Sequence, residues 1–466
     1  MEDRNNRDAP YSLANERRVK QRFGFSPSSV KSDQRVLLWM GLFTGANVGV
    51  KGAYAFLVLL LAAKLPAEVF AQFGMLYALH GAMATFAVTG LGEVTAGLLK
   101  SHRPGLFRQV LFRRMSGLFL ITASISLILL TPLIAQISQG TALICAAILA
   151  VLLGAVIAFS NLQAGFHRIE EHHAVSLLSS AGVPMGGIIG LLIGVWVSQS
   201  LAVIFGLGFL GAAITLAGLI GGGVIYLAPV PRLSKILPYL LQLFPFLAMG
   251  IIGWLSGYGM NFVINLKFDL LVVAAFTFLL SVSSIAQLIA SSMNMAWSPR
   301  FYKLFNEGQA KEAEDKSRHF FSVLAILLGA IGAVVVFVLP WFVHVVGGNL
   351  EHYAAYRFEL ACLLAGYVLG VPGWHGANYY LVSGLRSEYM HLVLWSGGGG
   401  LLLWLVCIFF VGSTGIFIGF ALNMAIKSIS MWWAGRKHWL FKPSWSIVVV
   451  ASVLVFLPLL FPPQGI

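Results

Sequence analysis

The fold of this chain is decided by the segment from Val36 to Lys100. It contains VLLWMGLFTGANVGVKGAYAFLVLLLAA (36–63), the short link KLPAE (64–68) and VFAQFGMLYALHGAMATFAVTGLG (69–92). The two apolar segments have 28 and 24 residues, and about 20 residues are enough for a helix to cross the hydrocarbon core of a bilayer. The segment therefore predicts two transmembrane helices joined by a tight turn.

Lys51 lies near the middle of the first apolar segment, with glycines close by at positions 45, 49 and 52. A lysine at that depth costs about 2.5–3.5 kcal/mol on insertion scales unless it faces protein, water or an anion. We therefore predict that Lys51 faces a cavity and binds an anionic group. Two structural interpretations stay open: an ion pair with a carboxylate such as Glu93, and snorkelling within a helix bundle.

The composition of the whole chain is that of an integral membrane protein. Hydrophobic residues make up 58% and charged residues 10%, whereas soluble domains have about 25% charged residues. Cys145, Cys362 and Cys407 lie far apart in apolar segments, without the spacing of a disulfide framework or a metal site. We expect no cofactor and no metal.

Hydropathy along the chain predicts an all-α membrane protein with about 12–13 transmembrane helices, arranged as two pseudo-repeated six-helix lobes around a central cavity. The predicted organisation is a flexible cytoplasmic tail at 1–35, a first lobe at 36–228, a cytoplasmic link at 229–235, a second lobe at 236–434, and a cytoplasmic turn with an extra span at 435–466.

The placement of basic residues predicts the orientation. The predicted cytoplasmic segments hold 25 of the 30 Lys and Arg residues, and the predicted external links hold only Lys64 and Lys267. This asymmetry is the one that the positive-inside rule requires, with a cytoplasmic N-terminus. The net charge of +13 therefore reports orientation, and we expect no nucleic-acid partner.

The two predicted lobes share a pattern around their first two spans. Each pair is joined by a short external link with a lysine and an acid, Lys64–Glu68 and Lys267–Asp269. Each second span is followed by a basic cytoplasmic segment with a proline near its start, Pro104 or Pro299. Ser298 followed by Pro299 predicts the start of a separate amphipathic helix.

Three segments resemble polysaccharide flippases of the multidrug/oligosaccharidyl-lipid/polysaccharide exporter superfamily: AEVFAQFGML…AVTGLGEVTAGLLK (67–100), NMAWSPRFYKLFNEGQAKEAED (294–315) and EHYAAYRFELACLLAGYVLG…YYLVSGLRSEYM (351–390). The family often has an Asp-Arg pair late in its seventh span, where this chain has Met260-Asn261. The resemblance implies a carrier that moves an undecaprenyl-diphosphate-linked oligosaccharide across the bacterial inner membrane by alternating access, for a surface polysaccharide such as an exopolysaccharide or O-antigen. It also implies a multi-pass monomer that works beside a polysaccharide polymerase and glycosyltransferases.

Such a carrier needs cations for the diphosphate and polar or aromatic groups for the sugar, but no covalent chemistry. Candidates for substrate binding are Lys51, Arg357, Lys267, Tyr54 and Trp254. Candidates for coupling-ion binding or gating are Glu359, Glu93, Asp269, His80 and His375. Structural alternatives stay open: snorkelling for Arg357, an interfacial pair for Lys267 and Asp269, a structural partner to the basic loop for Glu93, and hydrogen-bonded packing for the histidines.

Intramembrane aromatic residues could stack on sugar rings or serve as ordinary packing and belt residues. They are Trp39, Tyr54, Tyr77, Trp254, Tyr258, Trp374, Tyr379 and Tyr380. Lys427 lies near the inner end of the predicted twelfth span, where snorkelling is the default interpretation.

Two other functions compete with the flippase. A cation-coupled multidrug antiporter of the same superfamily would line its cavity with acids, but the predicted spans hold chiefly Glu93 and Glu359. A membrane enzyme would need catalytic residues on a substantial external loop, and all the predicted external links are short. We therefore predict a carrier and not an enzyme.

Overall fold

The structure of the 466-residue chain is a computed structural model that describes residues 29–91, 95, 106–137, 140–169, 172–221, 225, 233–436 and 442–461. The chain divides into two compact units, Met1–Gly45 and Ala46–Ile466. The first unit is described from Ser29 onward and is helical there. Glu93, residues 1–28 of the predicted N-terminal tail and residues 229–232 of the predicted inter-lobe link lie outside the described residues. The predicted domain boundaries stay predictions.

The described residues form helices, turns and short connections, without a strand. The α-helices are α1 (Ser29–Lys64), α2 (Ala67–Phe86), α3 (Leu106–Ile137), α4 (Thr141–Ile169), α5 (His173–Leu177), α6 (Val183–Val197), α7 (Leu201–Gly221), α8 (Leu233–Leu255), α9 (Met260–Lys267), α10 (Leu270–Asn306), α11 (Ala310–Val346), α12 (Arg357–Leu369), α13 (Val371–Val382), α14 (Arg386–Val411), α15 (Ser413–Gly435) and α16 (Trp445–Leu454). A π-helical turn at Leu178–Gly182 joins α5 to α6, and 3₁₀ segments lie at Gly348–Ala355 and Leu457–Leu460.

Eleven helices in the described part of the chain are long and apolar enough to cross a membrane, or twelve if α8 and α9 form one bent span. Large apolar side chains cover their outer surfaces: Phe410 is 85% exposed, Trp395 81% and Trp196 71%. Apolar exposure on this scale is stable only against lipid. The predicted all-α transmembrane fold is confirmed.

Two predicted spans contain breaks. The fifth, formed by α5 and α6, has its π-helical turn at Leu178–Gly182, two residues before Pro184. The seventh is divided at Ser256–Gly259, where α8 and α9 meet at an angle of 53°. Such breaks leave backbone groups outside the regular helix ladder, which a membrane protein tolerates where they face protein or a cavity.

The predicted helix start at Ser298–Pro299 is wrong, because α10 runs through Pro299 to Asn306. The packing of this C-terminal part of α10 explains its continuity. Phe301 is fully buried, and its ring lies 4.8 Å from the ring of Tyr379. The chain turns later, at Gly308, whose φ of +80° is accessible to glycine without strain.

The predicted thirteenth span is shorter than a full crossing. The apolar segment Trp445–Leu460 combines α16 with a 3₁₀ turn. Even as a continuous helix it would be about 24 Å long, less than the hydrocarbon core of about 30 Å.

Helix α2 brings the first half of the chain against the second. A Cβ added at Gly74 would lie 2.3 Å from Thr277 Oγ1, so only glycine lets α2 and α10 approach this closely. Trp254 Nε1 donates a hydrogen bond of 2.8 Å to the Ala78 carbonyl. Asn349 Nδ2 donates one of 2.9 Å to the carbonyl of Leu65, in the turn between α1 and α2. These contacts fix the helices that surround the cavity described next.

A candidate substrate cavity between the two halves of the chain

A cavity of about 240 Å³ lies between helices from the two halves of the chain. Helices α1 and α2 line one side, and the α8–α9 break and α10 line the other. Its lining residues are Lys51, Gly52, Tyr54, Ala55, Val58, Tyr77, Tyr258, Ser284, Ile285, Gln287 and Leu288. The cavity therefore lies between the two halves of the chain, where the sequence predicts a central cavity.

Helical spacing explains why α1 presents Lys51 to the cavity. Lys51, Tyr54, Ala55 and Val58 follow one another at intervals of three, one and three residues. Residues spaced in this way occupy one face of a helix. The face changes from cationic through aromatic to aliphatic along α1, and its last member, Val58, is buried.

Three tyrosines form the aromatic wall of the cavity. The ring of Tyr77 lies 5.6 Å from that of Tyr54 and 4.9 Å, edge-on, from that of Tyr258. The ring of His80 stacks against Tyr77, with the ring centroids 5.7 Å apart. Because these rings belong to α1, α2 and the α8–α9 break, the wall spans both halves of the chain and offers faces for sugar or apolar groups.

The tyrosine hydroxyls differ in their hydrogen bonding. The hydroxyls of Tyr258 and Ser281 lie 2.8 Å apart and share a hydrogen bond. The Tyr54 hydroxyl is buried and has no hydrogen-bond partner among the described residues. Because a buried hydroxyl is nearly always hydrogen-bonded, the Tyr54 hydroxyl is an unsatisfied polar group beside the cavity.

The charge of the cavity is positive. Lys51 is exposed within the structure, and the described lining contains no carboxylate. Ser284 and Gln287 contribute uncharged polar groups from α10. This combination of an ammonium, an amide and hydroxyls can bind an anionic, hydrogen-bonding group.

Of the predicted substrate residues, Lys51 and Tyr54 are brought together, while three others have contacts elsewhere. Arg357 donates hydrogen bonds to the carbonyls of Pro458 (2.6 Å) and Phe461 (3.2 Å). Lys267 donates to the carbonyls of Ile408 (2.8 Å) and Phe409 (2.7 Å), in the last turn of α14. Trp254 is held by its bond to α2 and lies outside the cavity lining. These contacts are structural, and the transport roles stay predictions.

The predicted coupling and gating residues are dispersed. Asp269 caps α10 by accepting the Val272 N–H at 3.1 Å, and no ion pair joins it to Lys267 among the described salt bridges. Glu359 is partly buried in the first turn of α12. His80 is buried in α2, where it hydrogen-bonds to the backbone of Ala150.

His375 belongs to a buried polar cluster that sequence reasoning does not detect. Its Nε2 lies 3.7 Å from the Glu314 carboxylate, and its ring stacks on Phe321 at 4.7 Å. Glu314 also accepts hydrogen bonds from the Tyr379 hydroxyl and from the backbone N–H of Lys442 (3.0 Å). This cluster joins α11, α13 and the segment before α16. The local sequence does not indicate that Glu314 is buried, because the segment around it has the charged composition of a solvent-exposed helix.

Ser284 and Gln287 are also missed by sequence reasoning, although a signal exists. Together with Ser281 they are polar residues at intervals of three within the apolar α10. A polar stripe of this kind on a membrane helix indicates a face toward a cavity or another helix.

The fold is similar to solved structures of membrane transporters. An inward-facing multidrug resistance MATE family transporter of the MOP superfamily superposes with a TM-score of 0.63, at 14% identity, over 87% of this chain and 95% of that one. The lipid II flippase MurJ, in an inward closed conformation, gives 0.67 at 12% identity, over 90% and 92%. The eukaryotic MATE transporter AtDTX14 gives 0.55 at 15%, over 91% and 99%.

No protein-family model matches the sequence, and no curated protein matches it at a significant level. The likeness is therefore one of fold: this chain is a multi-pass α-helical membrane protein whose fold is similar to those of MATE transporters and MurJ. Because these identities are below 20%, the substrate of this chain must be inferred from its own cavity and not from the substrates of these neighbours.

Proposed function

We propose that this protein is a flippase that moves an undecaprenyl-diphosphate-linked oligosaccharide across the bacterial inner membrane for surface polysaccharide synthesis. The observation that carries the proposal is the position of Lys51 in a cavity between the two halves, with no carboxylate in the described lining. An ammonium in that position stabilises a diphosphate, because each ion relieves the desolvation of the other. The N-terminus is cytoplasmic in this proposal, in accord with the positive-inside asymmetry.

Further features of the cavity support an amphiphilic, sugar-bearing substrate. The tyrosine wall offers ring faces, and the Tyr54 hydroxyl, Ser284 and Gln287 offer hydrogen bonds. The lining helices come from both halves of the chain, so rocking of one half against the other would change access to the site. A solved neighbour of similar fold is a lipid II flippase.

A multidrug exporter is the alternative, and the MATE transporters of similar fold favour it. Its organic cations would bind the faces of Tyr54, Tyr77 and Tyr258 by cation–π contacts. The charge of Lys51 opposes this interpretation, because a fixed ammonium repels a cation in the same small cavity. We therefore give the anionic lipid-linked substrate precedence.

The test uses a deletion strain of the source organism that is complemented with wild type, Lys51→Ala or Lys64→Ala. Lys64 is the matched control, because it lies at the end of α1 over the Trp196 ring and outside the cavity. Without the protein, we expect complete lipid-linked repeat units to accumulate on the cytoplasmic face and surface polymer to be lost. Wild type and Lys64→Ala should restore the polymer, and Lys51→Ala should not, at equal amounts in the membrane.

Normal surface polymer and no accumulation in the deletion strain would contradict the flippase. Drug sensitivity of that strain, relieved by wild type, would then establish the multidrug exporter.

A further inference from the structure

A second cavity of about 200 Å³ lies entirely within the second half of the chain, among α8, α13, α14 and α15. Its polar lining consists of Lys427, Ser428, Ser396, Tyr389 and Trp374. None of these residues lines the cavity that contains Lys51. The second cavity is therefore a separate site inside a helix bundle, with a few polar groups in an otherwise apolar lining.

Lys427 is fixed at one side of this cavity. Its ammonium donates a hydrogen bond of 3.0 Å to Ser256 Oγ, at the start of the α8–α9 break. Gly397 leaves room for this arrangement, because a Cβ there would lie 2.6 Å from Ile252 and 3.9 Å from Lys427 Cε. The lysine stem thus fills a space between α8 and α14, and its head is held near the cavity.

The charge of Lys427 is not balanced by the protein that surrounds it. The described lining of the cavity contains no carboxylate, and no described salt bridge includes Lys427. An ammonium has three hydrogen-bond donors, of which Ser256 accepts one. Because an intramembrane lysine is stable only with polar or anionic partners, the remaining donors are suited to a ligand.

Two serine hydroxyls complete the donor set. Ser428 is fully buried, and its Oγ accepts the Gly373 N–H at 3.1 Å, which leaves the hydroxyl hydrogen as a donor. Ser396 is 6% exposed and lines the cavity from α14. A lysine with two neighbouring hydroxyls, and without a carboxylate, is an arrangement that accepts oxygen atoms carrying negative charge.

We propose that this second cavity binds a small oxyanion, a phosphate group, through Lys427, Ser428 and Ser396. The phosphate group is either free inorganic phosphate or the headgroup of a membrane lipid. The site is distinct from the substrate cavity, and the proposal does not depend on the role of Lys51.

The experiment measures the thermal unfolding of the purified full chain in detergent, with sodium phosphate titrated against sodium chloride at matched ionic strength. Wild type should show a saturable rise in Tm with phosphate alone. Lys427→Met should abolish the rise or weaken the apparent affinity at least tenfold. Lys51→Met should keep it, so failure of the substrate proposal and failure of this one give different results.

Gly253→Leu is a second variant, which keeps the lysine and fills the cavity. A Cβ at Gly253 meets nothing within 4 Å, so the added side chain extends into open space. We expect it to abolish the response to phosphate, and it decides the question if Lys427→Met does not fold. A parallel titration with dihexanoyl phosphatidic acid separates the two sources, because a response to this lipid alone assigns the site to a headgroup. No saturable response of wild type to either probe, or a full response of both variants, would overturn the proposal.

Discussion

Removal of the Tyr54 hydroxyl should affect stability and substrate binding in opposite directions. The hydroxyl is buried without a partner among the described residues, and a buried unsatisfied hydroxyl costs about 1–3 kcal/mol. Tyr54→Phe removes that cost and keeps the ring against Tyr77. We therefore expect the variant to be as stable as wild type or more stable, by up to about 1–3 kcal/mol.

Under the proposed function, the same substitution also removes a hydrogen bond that the Tyr54 hydroxyl would donate to the substrate. A neutral hydrogen bond contributes about 0.5–1.5 kcal/mol, which corresponds to a loss of affinity of about 2- to 10-fold. Tyr258→Phe is the matched control, because its hydroxyl already pairs with Ser281. That variant should lose about 0.5–1.5 kcal/mol of stability.

The assay combines thermal unfolding in detergent with titration of undecaprenyl diphosphate. For a chain of this length, 1 kcal/mol corresponds to a change in Tm on the order of 1–2 °C. Equal destabilisation by Tyr54→Phe and Tyr258→Phe, with substrate affinity unchanged in Tyr54→Phe, would contradict both expectations for Tyr54. That result would show that the Tyr54 hydroxyl has a structural partner and faces away from the substrate.

Three further predictions concern residues that hold the fold. Gly190→Leu should abolish accumulation of folded protein, measured by detergent size-exclusion chromatography, because even a Cβ there would lie 2.0 Å from the Leu207 carbonyl oxygen; normal elution would contradict this. Lys267→Ala removes two charge-assisted hydrogen bonds to the end of α14. It should lower the free energy of unfolding by about 1.5–3 kcal/mol, and therefore the Tm by a few degrees, with substrate affinity unchanged. A tenfold loss of affinity would instead make Lys267 a substrate residue. Glu314→Ala leaves the Tyr379 hydroxyl and the Lys442 N–H without their acceptor. Protease cleavage before α16 should therefore increase at least several-fold. Unchanged cleavage would show that the cluster does not hold this segment.

Much of the transmembrane architecture follows from local physics and is predictable from the sequence. Bilayer thickness sets the length of an apolar helix, so the spans can be found from hydropathy. The orientation inferred from charge asymmetry stays a prediction. Lys51 and Tyr54 are detected for the same reason, because a charge in an apolar span requires a polar environment and the helical period places both on one face.

The remaining features depend on contacts between distant segments. Nothing local to Pro299 shows that Phe301 packs against Tyr379, and this packing keeps α10 continuous. In the sequence, Glu314 lies among charged residues, as a solvent-exposed carboxylate does. In the structure its carboxylate oxygens accept hydrogen bonds from Tyr379 and Lys442, which lie 65 and 128 positions away. Pairing of this kind is set by helix packing, which spacing and hydropathy do not specify.

Lys267 and Arg357 show that the charge and position of a residue in the sequence do not identify its binding partner. Both are basic residues near the ends of predicted spans, as an anion-binding residue could be. In the structure each donates to backbone carbonyls near the end of another helical segment, α14 for Lys267 and the 3₁₀ turn after α16 for Arg357. Carbonyls at a helix C-terminus are orphan acceptors with partial negative charge, so they attract the same side chains as an anionic substrate does.

The most direct test of the account is the binding of undecaprenyl diphosphate to the purified protein in nanodiscs. Wild type, Lys51→Met and Lys64→Met are compared at low and high salt. A charge-assisted contact of about 1.5–3 kcal/mol predicts that Lys51→Met binds about 10- to 150-fold more weakly, while Lys64→Met binds like wild type. Equal affinities of Lys51→Met and wild type would contradict the claim that Lys51 holds the diphosphate in the cavity between the two halves.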